Sequence, residues 1–216
     1  AALKRYFSIP GEKLVLTPNA VDAYKGNLTD VKSKYKLGKY ILYVSRFEPR
    51  KNHYALLRSF VDMGLHNQGY KLVFIGRFKD VTNLKYLNYF DSLPDDLKKA
   101  VLYFENLQED ELYSFYQQAE LFVYPSLAEG FGIPPLEAAI MNCKVLCSNQ
   151  TALKDFYFFE KYLFDPHNLD DLKSKIASVL KDENYPYLSI RTAAMERYNW
   201  TAISRNFGLK LKKRHK

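Results

Sequence analysis

At 216 residues the chain can bury one full core but hardly two, and 47% hydrophobic against 26% charged residues is the balance of a folded globular protein. The formal charge of +8 directs attention to anionic partners: nucleic acid, an acidic membrane face or a phosphorylated small molecule. Two cysteines exclude a disulfide framework, the four scattered histidines lack metal-ligand spacing, and the signatures of nucleic-acid modules are missing.

The chain opens with a strand-like Lys13 to Leu16, a turn at Pro18-Asn19-Ala20 and a polar stretch. Residues 1–10 carry no apolar leader core, and no apolar run reaches the roughly 18 residues of a membrane span, so a cytoplasmic location is expected. From residue 40 the pattern changes. Near-continuous apolar runs at Tyr40 to Val44, Lys71 to Ile75, Val101 to Phe104, Leu121 to Tyr124, Lys144 to Cys147 and Tyr162 to Phe164 predict strands buried on both faces. Helical spacing fills 53–63, 109–119 and 168–181 between them. Such alternation predicts an α/β fold, a doubly wound, Rossmann-like parallel sheet. Pro186 to Tyr198 and Trp200 to Leu211 then read as two helices with no strand between. The resulting division is 1–39 as a connection and start of the domain, 40–183 as the sheet domain, and 184–216 as C-terminal helices.

Ligands of open parallel sheets sit at the carboxyl ends of the strands, and two loops there carry chemistry. After Leu121 to Tyr124 comes Pro125-Ser126-Leu127-Ala128-Glu129-Gly130-Phe131-Gly132-Ile133-Pro134-Pro135-Leu136-Glu137. Proline favours the first helical turn, which sets a helix start near Pro134. Gly130 and Gly132 leave room for close approach of a ligand to the backbone, and the helix start offers an anion site. Glu129 and Glu137 add carboxylates that accept hydroxyl hydrogen bonds. After Tyr40 to Val44 comes Ser45-Arg46-Phe47-Glu48-Pro49-Arg50-Lys51-Asn52, in which Arg46 and Lys51 are phosphate cations and Asn52 is a candidate N-cap. Asp95-Asp96 and Glu109-Asp110-Glu111 suit helix starts better than a metal site. Cys143 and Cys147 read as small buried hydrophobes.

At these residues the sequence resembles glycosyltransferase family 4, retaining enzymes of the GT-B fold that use nucleotide-activated sugars. Glu129 and Glu137 match its Glu-x7-Glu hallmark, Arg46 and Lys51 its cations after the first strand of the donor domain, Pro18, Asn19 and Asp22 its interdomain segment, and Tyr198-Asn199-Trp200 its terminal aromatic segment. Ser45 stands where the family usually has glycine, Asn142-Cys143-Lys144 replaces Gly-x-Pro, and Ser148 to Leu153 replaces a glycine-containing stretch.

The resemblance implies one half of a GT-B enzyme, the donor-binding domain, with an acceptor-binding N-terminal domain as its missing partner. Arg46 and Lys51 then hold the diphosphate of a UDP- or GDP-sugar, Glu137 the ribose, and Glu129 the transferred hexose, such as mannose or glucose. The amides from Gly130 through Phe131, Gly132 and Ile133 face sugar and phosphate, and the base lies against Asn106 and Leu107. Glu129, Arg46 and Lys51 are the expected catalytic residues. The family works without a metal cofactor, and the acceptor is a glycan or lipid-linked chain in polysaccharide biosynthesis. The alternative is a non-catalytic nucleotide- or glycan-binding module of the same fold. The basic end (Arg205, Lys210, Lys212, Lys213, Arg214 and Lys216) suggests peripheral contact with an anionic membrane at the inner face.

Overall fold

The computed structural model describes residues 6–15, 17–78 and 83–212. Strands β1 (Lys39–Val44), β2 (Tyr70–Ile75), β3 (Val101–Phe104), β4 (Leu121–Tyr124), β5 (Val145–Ser148) and β6 (Leu163–Phe164) form one sheet. Its order is β3-β2-β1-β4-β5-β6 and every neighbouring pair is parallel. The doubly wound α/β architecture expected from the sequence is therefore the fold. Tyr40, Ile41, Leu42 and Tyr43 of β1 and Leu121, Phe122 and Val123 of β4 are wholly excluded from solvent, which is why these strands need apolar residues at consecutive positions.

The helices are α1 (Val31–Tyr35), α2 (His53–Asp62), α3 (Leu84–Asp91), α4 (Asp95–Lys98), α5 (Glu109–Gln118), α6 (Ile133–Ile140), α7 (Leu169–Leu180), α8 (Tyr187–Arg197) and α9 (Trp200–Lys212). They fall into two packed sets, as a sheet buried on both faces requires: α2 with α3 and α7, and a run in which α1 meets α5, α5 meets α6 and α6 meets α8. Asp95-Asp96 and Glu109-Asp110-Glu111 do open α4 and α5, where carboxylates suit the positive end of the helix dipole. Cys143 and Cys147 are free and buried.

Two local expectations are corrected. Lys13 closes a 3-10 turn over Gly11–Lys13 and Leu14 is extended but joins no sheet, while Leu16 lies outside the described residues. Asn52 precedes α2 in the left-handed conformation, and its side chain caps nothing in that helix; Nδ2 instead donates to the Pro166 carbonyl at 3.1 Å. Lys213, Arg214 and Lys216 of the basic end also lie outside the described residues. Two departures from the family pattern cost no backbone strain: Ser45 has no positive φ, and Asn142, at φ 55, is of a type that tolerates the left-handed region.

The feature that positions the site is a break in the ladder. β1 pairs with β2 over six residues, from Lys39↔Tyr70 to Val44↔Ile75, but with β4 only at Ile41↔Leu121 and Leu42↔Phe122. The strand order reverses between β1 and β4, so their carboxyl ends open a gap at the topological switch point. Gly132 closes the loop beside it at φ 109. A Cβ there would overlap the Leu153 side chain and come within 3.2 Å of the Phe156 ring. Glycine at 132 thus serves backbone geometry and core packing. Gly132→Ala is expected to lower stability by about 1–3 kcal/mol, read as a lower denaturant midpoint at unchanged slope.

Candidate active site at the β1/β4 gap

The two loops flanking the gap are stitched together. The Leu127 amide donates to the Arg50 carbonyl at 2.8 Å and Ser126 Oγ to the same oxygen at 3.2 Å. A 3-10 turn over Pro49–Lys51 directs Lys51 inward, where its residue is 8% exposed and its carbonyl accepts the Tyr43 hydroxyl at 2.7 Å. A buried ammonium needs partners. Lys51 Nζ has Glu129 Oε1 at 2.5 Å and the Tyr124 hydroxyl at 3.2 Å, and that hydroxyl also donates to Glu129 Oε1 at 3.0 Å. Arg50 takes the other carboxylate oxygen, Oε2, at 3.2 Å and is backed by Glu48 at 2.8 Å. Thr151, in the loop after β5, fixes the Glu129 backbone by accepting from its amide at 2.8 Å.

Lys51 and Glu129 are therefore brought into direct contact. Arg46 is not: its side chain is 78% exposed and its nearest anion is Glu48 at 3.8 Å. The guanidinium on Glu129 belongs to Arg50, which sequence reasoning did not single out; Pro-Arg-Lys-Asn says that a turn occurs but not which cation it turns inward. Glu137 lies elsewhere on the same junction. It accepts the Tyr116 hydroxyl at 2.9 Å and, with Ile133, faces a groove of about 1020 Å³ also lined by Asp22, Glu109 and Tyr113. Gly130 and Phe131 line a smaller cavity of about 470 Å³ with Asn19, Asp155 and Arg197. Asn106, exposed at φ 55, and Leu107, half-buried against the core, line neither.

The start of α6 offers fewer donors than a helix usually does. Pro134 and Pro135 carry no amide hydrogen, leaving those of Gly132 and Ile133 as the first-turn donors. The two acids of the motif are tuned in opposite directions. Burial works to raise the Glu129 pKa, but hydrogen bonds from Lys51, Ser126 and Tyr124 and the Lys51 charge outweigh it and hold the carboxyl below its ordinary value. For Glu137 burial prevails, assisted by repulsion from Glu109 and only partly opposed by Tyr116 and Tyr113, so its pKa is raised. Burial and the nearby Lys51 charge push the His53 pKa down to about 3, leaving a neutral ring stacked on Phe47 at 3.8 Å. Among the described residues no group of three or more His, Cys, Asp or Glu is placed to hold a metal ion.

The sequence model of the family described as "Glycosyl transferases group 1" matches residues 25–197, most of the chain, including Arg50, Lys51, Glu129 and Glu137. This chain belongs to that family. The group 1 chain is 31% identical over 186 residues to the serotype-specific mannosyltransferase WbdA of Escherichia coli, covering 83% of this chain and 22% of the relative. Among solved structures it superposes on a glycosyltransferase from Rickettsia africae with a TM-score of 0.80 at 18% identity, over 98% of this chain and 60% of that one. It superposes on Anabaena HepE in complex with UDP at 0.71 and 16% identity, over 85% and 51%. The chain thus spans about a fifth of that mannosyltransferase relative and between half and two thirds of each of these structural neighbours.

The two acids predict opposite stability behaviour. A depressed carboxyl pKa stabilises above the unfolded-state value and loses that contribution as pH falls through the folded-state value. Glu129→Gln should therefore be less stable at pH 7, by roughly 1–3 kcal/mol for a buried cation left short of its partner, with the gap closing as pH falls below the ordinary carboxylate range. A raised pKa contributes stability that is full below the unfolded-state value and is lost as pH rises through the folded-state value. Glu137→Gln should accordingly melt at or above the parent temperature at pH 7 and lose that advantage in acid. Thermal melts from pH 7 to 3 test both signs.

Proposed function

We propose that this chain is the donor-binding part of a retaining hexosyltransferase, taking mannose or glucose from a UDP- or GDP-sugar to a glycan or lipid-linked acceptor. The observation that carries the reading is the cation–carboxylate cluster of Lys51, Arg50 and Glu129, built into the β1/β4 gap on the loop that leads into the helix of Glu137. In it Lys51, joined by Arg46 from the rim, holds the diphosphate with the Gly132 and Ile133 amides. Glu129 accepts hydroxyls of the sugar and Glu137 those of the ribose. The mannosyltransferase relative favours mannose, and the fold neighbour solved with UDP supports a nucleoside diphosphate.

The chemistry follows from charge placement. As the bond between the anomeric carbon and the phosphate oxygen breaks, negative charge grows on the leaving diphosphate, and preorganised cations and amides stabilise it without a metal. Each charge-assisted hydrogen bond contributes about 1.5–3 kcal/mol. Glu129 is a poor nucleophile, since both its oxygens are engaged by cations. Retention is then reached by attack of the acceptor oxygen on the face the phosphate leaves, with the acceptor proton passing to that phosphate. An acceptor-binding half completes the cleft, and the reaction belongs at the cytoplasmic face of a membrane, where the basic end of the chain meets anionic lipid.

Titration with UDP, GDP, UDP-glucose and GDP-mannose tests the reading. One nucleotide and its sugar should bind, and Lys51→Met should weaken binding by roughly tenfold or more, the loss of one charged contact. Arg46→Ala should have a smaller effect, since its charge stands in solvent. Absence of binding by all four ligands, or affinities untouched by both substitutions, would overturn it.

A further inference from the structure

Arg50 is bound into the opposite loop at both of its ends. Its carbonyl receives the Leu127 amide and the Ser126 hydroxyl, and its guanidinium donates to the Ala128 carbonyl at 2.9 Å and to Glu129 Oε2 at 3.2 Å. Lys51 holds the other oxygen of the same carboxylate. One acid therefore neutralises two cations, and of the three Lys51 N–H donors Glu129 and Tyr124 occupy two. If Lys51 is to bind phosphate fully, it must give up Glu129. Without Arg50 the exchange would strip a largely buried carboxylate of its last cation, which is unfavourable.

We propose that Glu129 is a resident counter-ion that occupies Lys51 until a nucleoside diphosphate arrives, and that Arg50 is the positioning residue that keeps Glu129 paired once Lys51 turns to the phosphate. This rests on the donor-site reading above and adds a means of telling substrate from product. A sugar donor brings hydroxyls to the Glu129 oxygen that Lys51 vacates, so both partners of the broken pair are satisfied. A sugar-free diphosphate brings none. Glu129 then competes with it for Lys51, and the product is released more readily than the donor. Glu48, 2.8 Å from Arg50, steadies the guanidinium through the exchange.

The test is the affinity of the parent protein and four variants for UDP, GDP, UDP-glucose and GDP-mannose, by calorimetry. Glu129→Gln is expected to bind the cognate sugar-free diphosphate roughly 3- to 10-fold tighter and its sugar donor no tighter, so that the donor-to-product preference collapses. Arg50→Gln should weaken the diphosphate by a similar factor, and Arg50→Lys should recover most of the loss. Glu183→Gln, which removes the same charge from an exposed position outside both loops, should stay within about twofold of the parent. A merely structural role for Glu129 would weaken both ligands together.

Parent protein that binds a diphosphate while Glu129→Gln binds it equally or less well overturns the exchange and leaves the donor site standing; so does equal tightening in Glu183→Gln, which marks a general field effect. Parent protein that binds none of the four overturns the donor reading, and the exchange with it. Should the variants fail to fold, the Glu129 carboxyl carbon resonance of the parent decides: it is expected to move at saturating diphosphate, and an unmoved resonance sinks the proposal.

Discussion

The structure turns on one ion pair, Lys51 with Glu129, set where two strands stop pairing. β1 and β4 share only two registered pairs, so the space past Leu42 and Phe122 must be filled by something other than backbone hydrogen bonds. Tyr43 and Tyr124 stand on either side with rings 5.5 Å apart, and their hydroxyls meet the Lys51 carbonyl and the Glu129 carboxylate. Polar groups with nearly complete partnering thus replace an apolar plug. Removing one member leaves the others buried and short of a partner, which is why the loops at 45–52 and 125–132 hold one arrangement rather than several.

The high aromatic content has a specific use here. Tyrosine puts a ring into the core and a hydroxyl at its edge, and three buried tyrosines spend that hydroxyl on the site: Tyr43 on Lys51, Tyr124 and Tyr116 on the two motif acids. Burial drives the pKa values of all three far above the ordinary tyrosine value, so each remains a donor across the accessible pH range. On the other flank Phe47 stacks on His53, whose ring burial keeps neutral, so no second cation crowds Lys51 from beneath. The acids gain donors while the lysine gains no rival.

Much of this was legible in the sequence because burial leaves a compositional trace. All six strands fall within a residue or so of their apolar runs, and α2, α5, α7, α8 and α9 follow helical spacing or punctuation by proline. Two helices left too little trace. Within α1 only Val31 is buried, and α3 turns only Tyr86 inward. Side-chain direction left none. Arg46 and Arg50 both sit in a basic loop after β1, and only the 3-10 turn at Pro49 decides that Arg50 reaches Glu129 while Arg46 faces solvent. The packing role of Gly132 was hidden for a related reason: a glycine in a loop speaks equally for ligand approach and for packing, and the Leu153 and Phe156 side chains that require it lie about twenty residues on.

A final constraint concerns charge. The chain is basic overall, yet the larger groove beside α6 is lined by Asp22, Glu109, Asp110 and Glu137, with Lys25 as its one basic lining residue among the described residues. Asp110 is already engaged by Tyr24, whose ring stacks on Tyr113, so the groove has a built wall rather than a loose acidic edge. Cationic gap and acidic groove are separated by the segment from Glu129 to Glu137, which runs from the loop into α6. A simple anion satisfies the first and is repelled by the second, and a neutral sugar satisfies neither cation. A ligand that matches both must carry negative charge at one end and hydrogen-bond donors at the other. A nucleoside diphosphate has that polarity, with phosphates at one end and ribose hydroxyls with a donor-bearing base at the other. The pairing of opposite electrostatic environments across α6, more than either acid alone, is what gives the Glu-x7-Glu spacing its chemical sense.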